Sequence, residues 1–315
     1  MMRRKSLITS LSSYKITKSE KKILKENNPW GIILFKRNIR NLKQLKELTT
    51  EIKYLMHDNL YPILIDEEGG RVSRLSSIID TRGFDQNYFG KIYEKNKSIA
   101  INSYIEYLTL NCEFLNEAGI NMNTIPVLDI LKKKSNNVIG DRSYSDKINI
   151  INNLKNICFK VLKKHKIGSV SKHIPGHGSS KVDTHKEVST INYDKNYLFK
   201  NDFAVFKNID QKFCMTSHII FKDIDPFYPV TLSSKMIMLI RNYIKFKGII
   251  ISDDISMRAL SKNLVFNAKK AIQSGCNLVL YCKGNLDESS LLLRKIGYID
   301  DFTQKKTSEF YKFLS

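Results

Sequence analysis

The chain of 315 residues has the composition of a globular and strongly basic protein. Hydrophobic residues make up 42% and aromatic residues 10% of it, which excludes a disordered chain because so much apolar surface can form a core. The formal net charge is +21, but the lysines are spread along every segment and form no basic block interleaved with aromatic residues. We therefore predict a solvated lysine-rich surface and no nucleic-acid partner.

Cysteine usage and hydropathy indicate the compartment. The five cysteines include no Cys-x-x-Cys pair and sit mostly in apolar runs, as reduced core thiols of a cytosolic protein do. The basic residues Arg3, Arg4 and Lys5 precede a stretch that is too short and polar for a signal peptide. No apolar run approaches membrane-spanning length. We predict a cytoplasmic protein with no membrane partner.

Short apolar runs and helical patterns follow one another along the whole chain. We predict eight strands, at residues 7–11, 31–35, 62–66, 120–127, 167–174, 213–218, 248–254 and 277–282. A capping box at Thr17 and Glu20 predicts the first helix, which ends before Pro29. Further helices are predicted at 45–58, 104–119, 148–164, 197–208, 235–245, 264–274 and in the remainder to 315, whereas 76–96 reads as a loop and helix entrance.

This order of elements predicts a single closed (β/α)8 barrel over residues 1–315, with a helical C-terminal end. An open doubly wound sheet is less consistent, since no Gly-x-Gly-x-x-Gly follows an early strand. Every polar cluster lies just after a strand, and in a barrel those strand ends share one face. The residues predicted to converge there are Asp66, Arg74, Arg142, Lys172, His173, His185, His218 and Asp253.

The stretch 172–187 concentrates histidines beside glycines. Because Pro175 and two glycines break any helix, His173 and His177 cannot form a helical metal pair. Asp183 and His185 can instead bond directly, so that the carboxylate fixes the imidazole tautomer and raises its affinity for a proton. The alternative is a histidine-rich loop that only satisfies its own backbone.

Acidic residues end two of the predicted strands. Asp253 follows an apolar run and suits a nucleophile or a cation stabiliser, although it or Asp254 could simply cap the next helix. Asp66 with Arg74 suits bidentate bonding to sugar hydroxyls, and a structural salt bridge is the alternative. For the pairs Asp141–Arg142 and Lys172–His173 the alternatives are likewise binding of a ligand or a purely structural interaction.

Several multi-residue motifs, in unbroken order from about residue 31 to 282, resemble those of the β-N-acetylhexosaminidases of glycoside hydrolase family 3. The similarity is to the cytosolic, peptidoglycan-recycling members. The motifs are Asp66-Glu-Glu-Gly-Gly-Arg-Val-Ser-Arg74, Ile-Pro-Val-Leu-Asp129, Gly140-Asp-Arg-Ser-Tyr144, Lys172-His-Ile-Pro-Gly-His-Gly with Asp183-Thr-His185, Met-Thr-Ser-His218 and Ser252-Asp-Asp-Ile-Ser-Met257.

The resemblance implies an exo-acting, retaining enzyme that releases terminal N-acetylglucosamine from fragments such as GlcNAc-anhydroMurNAc and its peptides. It assigns Asp253 as nucleophile and His185, held by Asp183, as general acid/base. It assigns sugar binding to Asp66, Arg74, Arg142, Lys172 and His173. We expect a monomer that needs no metal or cofactor. Departures from the family pattern are Glu67 for Gln, Ile174 for Phe and Thr184 for Ser, and these bear on fine substrate preference.

Two other classes of function remain to be separated from this hypothesis. A metal-dependent barrel hydrolase would use His173, His177, His185, His218 and Asp253 as ligands. A sugar-binding homologue without catalysis would lack a reactive residue, and none is missing. Within the family, a β-glucosidase is disfavoured by the short chain and the Asp-x-His pair.

Overall fold

A computed structural model describes residues 3–132, 138–180, 182, 188–260 and 263–315 of the chain. The strands of these residues are, in chain order, β1 (Lys5–Ser10), β2 (Pro29–Leu34), β3 (Ile63–Ile65), β4 (Met122–Asn123), β5 (Gly168–Ile174), β6 (Ser189–Ile191), β7 (Phe213–Thr216), β8 (Ile219–Phe221), β9 (Ile249–Asp254) and β10 (Leu278–Leu280). Eight of them lie parallel and close into a barrel in the order β1-β10-β9-β7-β5-β4-β3-β2. The (β/α)8 prediction is confirmed.

The helices of the described residues surround this barrel. They are α1 (Lys18–Asn27), α2 (Leu42–Leu55), α3 (Gln86–Lys95), α4 (Lys97–Glu117), α5 (Ile148–Lys164), α6 (Lys195–Lys200), α7 (Ser234–Asn242), α8 (Leu264–Ser274), α9 (Leu286–Lys295) and α10 (Asp301–Leu314). The predicted capping box opens α1, since Thr17 Oγ1 accepts the Glu20 N–H and Glu20 accepts the Thr17 N–H. Gly275 ends α8 in the left-handed conformation that glycine adopts without strain.

The apolar side chains form an inner and an outer layer. Alternate strand residues such as Ile33, Leu64 and Ile251 fill the barrel, while their neighbours pack outward against the helices. The C-terminal helix α10 closes the amino-terminal end of the barrel, where the ring of Phe310 packs edge-on against Phe213 at 5.0 Å between centroids. Trp30 reaches the same helix by donating Nε1–H to Thr307 Oγ1 at 2.9 Å.

Several elements differ from the prediction, and the helical remainder divides into α9 and α10. The strand expected at 120–127 shortens to β4, since Pro126 cannot donate to the ladder. The region 76–96 contains the regular helix α3, capped by Asp85. The helix expected at 197–208 ends at Lys200, where the Asn201 side chain bonds the Tyr197 carbonyl. Past β7, a separate strand β8 pairs with β6, and neither was predicted.

Within the described residues, no helix combines the length and the apolar character that crossing a membrane requires.

Candidate active site

A cavity of about 200 Å³ lies at the carboxyl ends of the barrel strands. Its lining includes six of the residues predicted to converge at this face, namely Asp66, Arg74, Arg142, Lys172, His173 and Asp253. The predicted pair Asp183 and His185 lies outside the described residues. His218, which we also expected at this face, is fully buried and does not line the cavity.

Asp66 follows β3 and is held by two cations. Its Oδ2 accepts a bond from Arg74 Nη2 at 3.2 Å, and its Oδ1 accepts from Lys172 Nζ at 3.2 Å and from the Thr124 hydroxyl. Burial alone would raise the pKa of this carboxyl, but Lys172 and Arg74 outweigh burial and hold the pKa far below its ordinary value. Asp66 is therefore ionised at every working pH.

Glu68 binds two of the predicted sugar-binding cations at once. Its carboxylate accepts Nε of Arg142 at 2.8 Å and Nη2 of Arg142 at 2.9 Å, which is a bidentate pair. Lys172 Nζ donates to the same carboxylate at 2.6 Å. Although burial opposes ionisation, Arg142 and Lys172 lower the pKa of Glu68 to about 2. Glu68 is thus a permanent buried anion.

His173 is oriented by Asp129, which ends the segment after β4. Nδ1 of His173 lies 2.6 Å from Asp129 Oδ2, and the same carboxylate accepts the backbone N–H of His177 at 2.7 Å. Because an ionised carboxylate can only accept, Nδ1 carries the proton. Nε2 then presents its lone pair to Arg142 Nη2 at 3.4 Å. Asp129 therefore fixes the tautomer of His173.

His177 follows on the same loop and stays neutral. Its ring lies 5.4 Å from the ring of His173 between centroids. Burial, together with the neighbouring His173, lowers the pKa of His177 to about 4. His177 therefore adds no positive charge to the cavity at neutral pH.

The two acids at the end of β9 have different partners. Asp254 accepts the Ser256 N–H at 3.0 Å, the Ser256 hydroxyl at 2.7 Å and the Cys282 N–H at 3.2 Å, and burial raises its pKa. Asp253 lines the cavity, and its Oδ1 accepts the Asp254 N–H at 2.7 Å. Both acids line the cavity, and Asp254 in addition secures the turn through these three bonds.

His218 supports this strand end from behind. Its Nε2 lies 2.9 Å from the Asp254 carbonyl oxygen and must donate to it, so Nδ1 accepts from the Thr231 hydroxyl at 2.7 Å. Thr216 Oγ1 in turn accepts the Asp253 N–H at 3.3 Å. The ring of His218 is thus occupied in holding backbone, which explains why it does not reach the cavity.

Glu67 organises the loop that carries Arg74. Its Oε2 accepts the N–H groups of Arg74 and Leu75 at 2.7 and 3.0 Å, and its Oε1 accepts the Thr81 hydroxyl at 2.7 Å. Burial raises the pKa of this carboxyl, because these donors are uncharged. Glu67 therefore differs from its neighbour Glu68 in having no cation bound to it in these contacts.

Apolar side chains complete the wall of the cavity. They belong to Phe35, Val72, Met215, Met257 and Leu280. The guanidinium groups of Arg37 and Arg74 lie 4.8 and 5.3 Å from the centre of the Phe35 ring, which fixes that ring by cation–π contact. The lining therefore combines charged groups with apolar side chains, which suits a ligand that has both polar edges and apolar faces.

The described residues do not support the metal-site alternative. In the described part of the chain, no group of three or more histidine, cysteine, aspartate or glutamate side chains is arranged to hold an ion. Both ring nitrogens of His218, and Nδ1 of His173, already have protein partners at 2.6 to 2.9 Å. A metal would have to displace these bonds.

Three residues of the site were not assigned a role from the sequence: Thr124, Asp129 and Glu68. Asp129 could have been found, since it follows a strand-like run just as Asp66 and Asp253 do. Glu68 could not, because the sequence does not show that its side chain meets two cations while that of the adjacent Glu67 bonds neutral groups.

Comparison with known proteins agrees with this geometry. The model of the glycosyl hydrolase family 3 N terminal domain matches residues 3–300. A β-hexosaminidase of Nitrosomonas eutropha is 32% identical over 282 residues, which cover 88% of this chain and 80% of the relative. A β-hexosaminidase of Neisseria meningitidis serogroup A is 32% identical over 284 residues, or 88% of this chain and 77% of the relative.

A solved structure is also similar over nearly the whole chain. NagZ from Neisseria gonorrhoeae, in complex with N-trifluoroacetyl-D-glucosamine, superposes with a TM-score of 0.86 at 28% identity, over 99% of this chain and 90% of that one. These matches, together with the cavity described above, give one conclusion. The chain belongs to glycosyl hydrolase family 3 and is a glycoside hydrolase of the β-N-acetylhexosaminidase type.

Proposed function

We propose that this enzyme is an exo-acting, retaining β-N-acetylglucosaminidase of cell-wall recycling. Its substrates would be peptidoglycan fragments such as GlcNAc-anhydroMurNAc, with or without peptide. The observation that carries the proposal is the convergence of Asp253 with Asp66, Arg74, Arg142 and Lys172 on one cavity. At about 200 Å³ this cavity is smaller than the roughly 300–1,000 Å³ usual for ligand pockets, which favours one terminal sugar.

The proposed reaction has two steps and needs one nucleophile and one proton carrier. Asp253 attacks the anomeric carbon and forms a glycosyl ester, while the bond from that carbon to the aglycone oxygen breaks. Protonated His185 gives its proton to the departing oxygen. In the second step His185 takes a proton from water, which attacks the same carbon and releases the sugar and Asp253. Asp183 keeps His185 in the required tautomer.

The remaining charged groups suit the recognition of sugar hydroxyls. The Asp66 carboxylate is ionised and therefore accepts, whereas Arg74, Arg142 and Lys172 donate. His173 has Nδ1 protonated toward Asp129, so its Nε2 acts as an acceptor. We assign the binding of the N-acetylglucosamine unit to these five residues.

We further propose a monomeric, cytoplasmic enzyme with one catalytic barrel. All five cysteines are free thiols, and four of them are buried, which suits a reducing compartment. The chain also covers 80% of its Nitrosomonas relative and 90% of the Neisseria structure, so that most of each relative corresponds to this barrel.

The first test is hydrolysis of the p-nitrophenyl β-N-acetylglucosaminide beside the β-glucoside, with and without a chelator. Selective, chelator-insensitive hydrolysis of the acetylated sugar is expected. Loss of activity with the chelator would indicate that the histidines bind a metal. Binding of N-acetylglucosamine without turnover would indicate a sugar-binding protein.

A second experiment examines the natural substrate and the intermediate. Purified GlcNAc-anhydroMurNAc, with and without peptide, should release N-acetylglucosamine in its β form, seen by proton NMR immediately after mixing. A fluorinated N-acetylglucosaminide should label Asp253, identified by peptide mass spectrometry. Release of the α anomer, or a label on another residue, would reject the proposed mechanism.

A further inference from the structure

We propose that Glu68 is the positioning residue of this active site, acting through Arg142 and Lys172 without itself binding the sugar. The inference rests on the proposed sugar-binding roles of those two residues. Glu68 lines the cavity, but its side chain is only 1% exposed. Its two oxygens nevertheless contact cations from two separate segments, the turn 140–142 and strand β5.

The first argument concerns the orientation of Arg142. Two parallel N–H···O bonds to one carboxylate fix both the position and the plane of a guanidinium group. With Nε and one N–H of Nη2 held by Glu68, the neighbouring contact of Nη2 to His173 Nε2 follows at 3.4 Å. Glu68 thereby sets the plane of the guanidinium group, in which Nη1 also donates to the Val138 carbonyl at 3.3 Å.

The second argument concerns Lys172. Its ammonium group donates to Glu68 at 2.6 Å, to Thr124 at 2.7 Å and to Asp66 at 3.2 Å. A lysine ammonium has three N–H groups and ordinarily rotates freely. The two shorter bonds hold the nitrogen in place, so that the longest contact, to Asp66, is the one that a sugar hydroxyl can share most easily.

The third argument concerns charge. Asp66 pairs with Arg74 and Lys172, and Glu68 pairs with Arg142 and Lys172, so that each of these carboxylates bonds two cations. Replacing Glu68 by a neutral residue would leave Arg142 and Lys172 side by side with one negative charge fewer. Breaking a buried pair on one side leaves an uncompensated charge and strongly disturbs its geometry.

The test compares Glu68→Gln with wild type by calorimetric titration of N-acetylglucosamine, a readout that needs no turnover. The Kd should rise about 10- to 100-fold, as for other residues that orient ligand-binding groups. A matched control is Glu20→Gln, which removes another buried glutamate whose contacts are backbone N–H groups near α1. The control should lower the melting temperature and leave the Kd unchanged. A Kd for Glu68→Gln within threefold of wild type would overturn the inference.

A double-mutant cycle with Arg142→Lys separates positioning from general damage. If Glu68 acts through Arg142, the fold-increase in Kd of the double variant should be much smaller than the product of the fold-increases of the two single variants. Fully multiplicative losses would overturn the inference. Should Glu68→Gln not fold, Glu68→Asp keeps the charge but shortens the arm: a weaker Kd in the folded variant supports positioning, and a wild-type Kd rejects it. Wild-type binding without hydrolysis would reject the proposed reaction alone.

Discussion

The Asp129 carboxylate holds both histidines of the 173–177 loop, since it accepts Nδ1–H of His173 at 2.6 Å and the backbone N–H of His177 at 2.7 Å. Asp129 is fully buried, and its pKa is lowered because the His173 contacts outweigh the effect of burial. One carboxylate thus fixes the orientation of the His173 ring and the position of the His177 backbone.

Asp129→Asn should therefore reduce both activity and stability. An amide has one acceptor oxygen, so its NH₂ group would face either the His177 N–H or the His173 Nδ1–H. A switch of the His173 tautomer would then set Nε2–H against Arg142. We expect kcat/KM to fall about 10- to 100-fold and unfolding free energy to fall by about 1–3 kcal/mol.

Denaturant unfolding and steady-state kinetics on the β-N-acetylglucosaminide measure the two effects. Asp58→Asn is a suitable control, because Asp58 bonds Arg4 and Tyr311 at the opposite end of the barrel. It should lose stability and keep wild-type kcat/KM. Unchanged kinetics in Asp129→Asn would show that the tautomer of His173 has no part in the reaction.

Glu67→Gln should make the protein relatively more stable as the pH rises. Burial raises the folded pKa of Glu67, so the folded state binds more protons than the unfolded state, and the stability from Glu67 is lost as pH rises through the folded pKa. A glutamine fits the same contacts: its oxygen can accept the Arg74 and Leu75 N–H groups, and its NH₂ can donate to Thr81.

The measurement is the melting temperature of both proteins at pH 4 and pH 7. The difference, variant minus wild type, should be more positive at pH 7. For Glu68→Gln the difference should instead be more negative at pH 7 than at pH 4. The folded pKa of Glu68 is lowered to about 2, so its stabilising effect on the wild type is lost as the pH falls towards that value. Equal differences at the two pH values would contradict the burial argument for Glu67.

Gly90→Ala should disrupt the packing of α3 on the segment that carries Arg142. A Cβ at Gly90 would lie 1.7 Å from the Tyr144 carbonyl oxygen, so backbone has to move. Overpacking of this kind costs about 1–3 kcal/mol or more. Gly83→Ala is the matched control, since a Cβ there meets nothing within 4 Å. Denaturation of the two variants should show a large loss for the first only, and similar losses would count against this packing.

His185→Ala tests the acid/base assignment through its dependence on the leaving group. An aglycone that departs readily needs little protonation, so the variant should hydrolyse a dinitrophenyl glycoside far better than the natural disaccharide. Added azide should speed the second step, as it replaces water without base assistance. Equal losses on activated and natural substrates would remove His185 from the acid role. Asp253→Ala should show no turnover on either.

The sequence was sufficient for the barrel and for six of the residues that line its cavity. Continuous apolar runs placed all eight barrel strands, and the rule that strand ends share a face brought Asp66, Lys172 and Asp253 together. The strand pair β6–β8 was missed because β6, Ser-Thr-Ile, contains no apolar run and β8 follows β7 after only two residues. The roles of Asp183 and His185 stay predictions.

What the sequence could not supply is the pairing of charges. Glu68, Arg142 and Lys172 lie far apart along the chain, so only the folded barrel shows that the first contacts both of the others. Likewise the contrast between Glu67 and Glu68 depends on which way each side chain points after β3, and adjacent residues of the same type carry no such information.

The helix α10 at the amino-terminal end of the barrel bears on how the chain is made. Strand β1 pairs with β2 but also with β10, where Leu7 lies beside Val279, and the ring of Phe310 covers the interior at Trp30 and Phe213. During synthesis β1 cannot pair with β10 until nearly the whole chain has been made. The growing polypeptide therefore carries an open apolar interior on the ribosome until residues 301–314 emerge, and chaperone demand should be greatest just before that point.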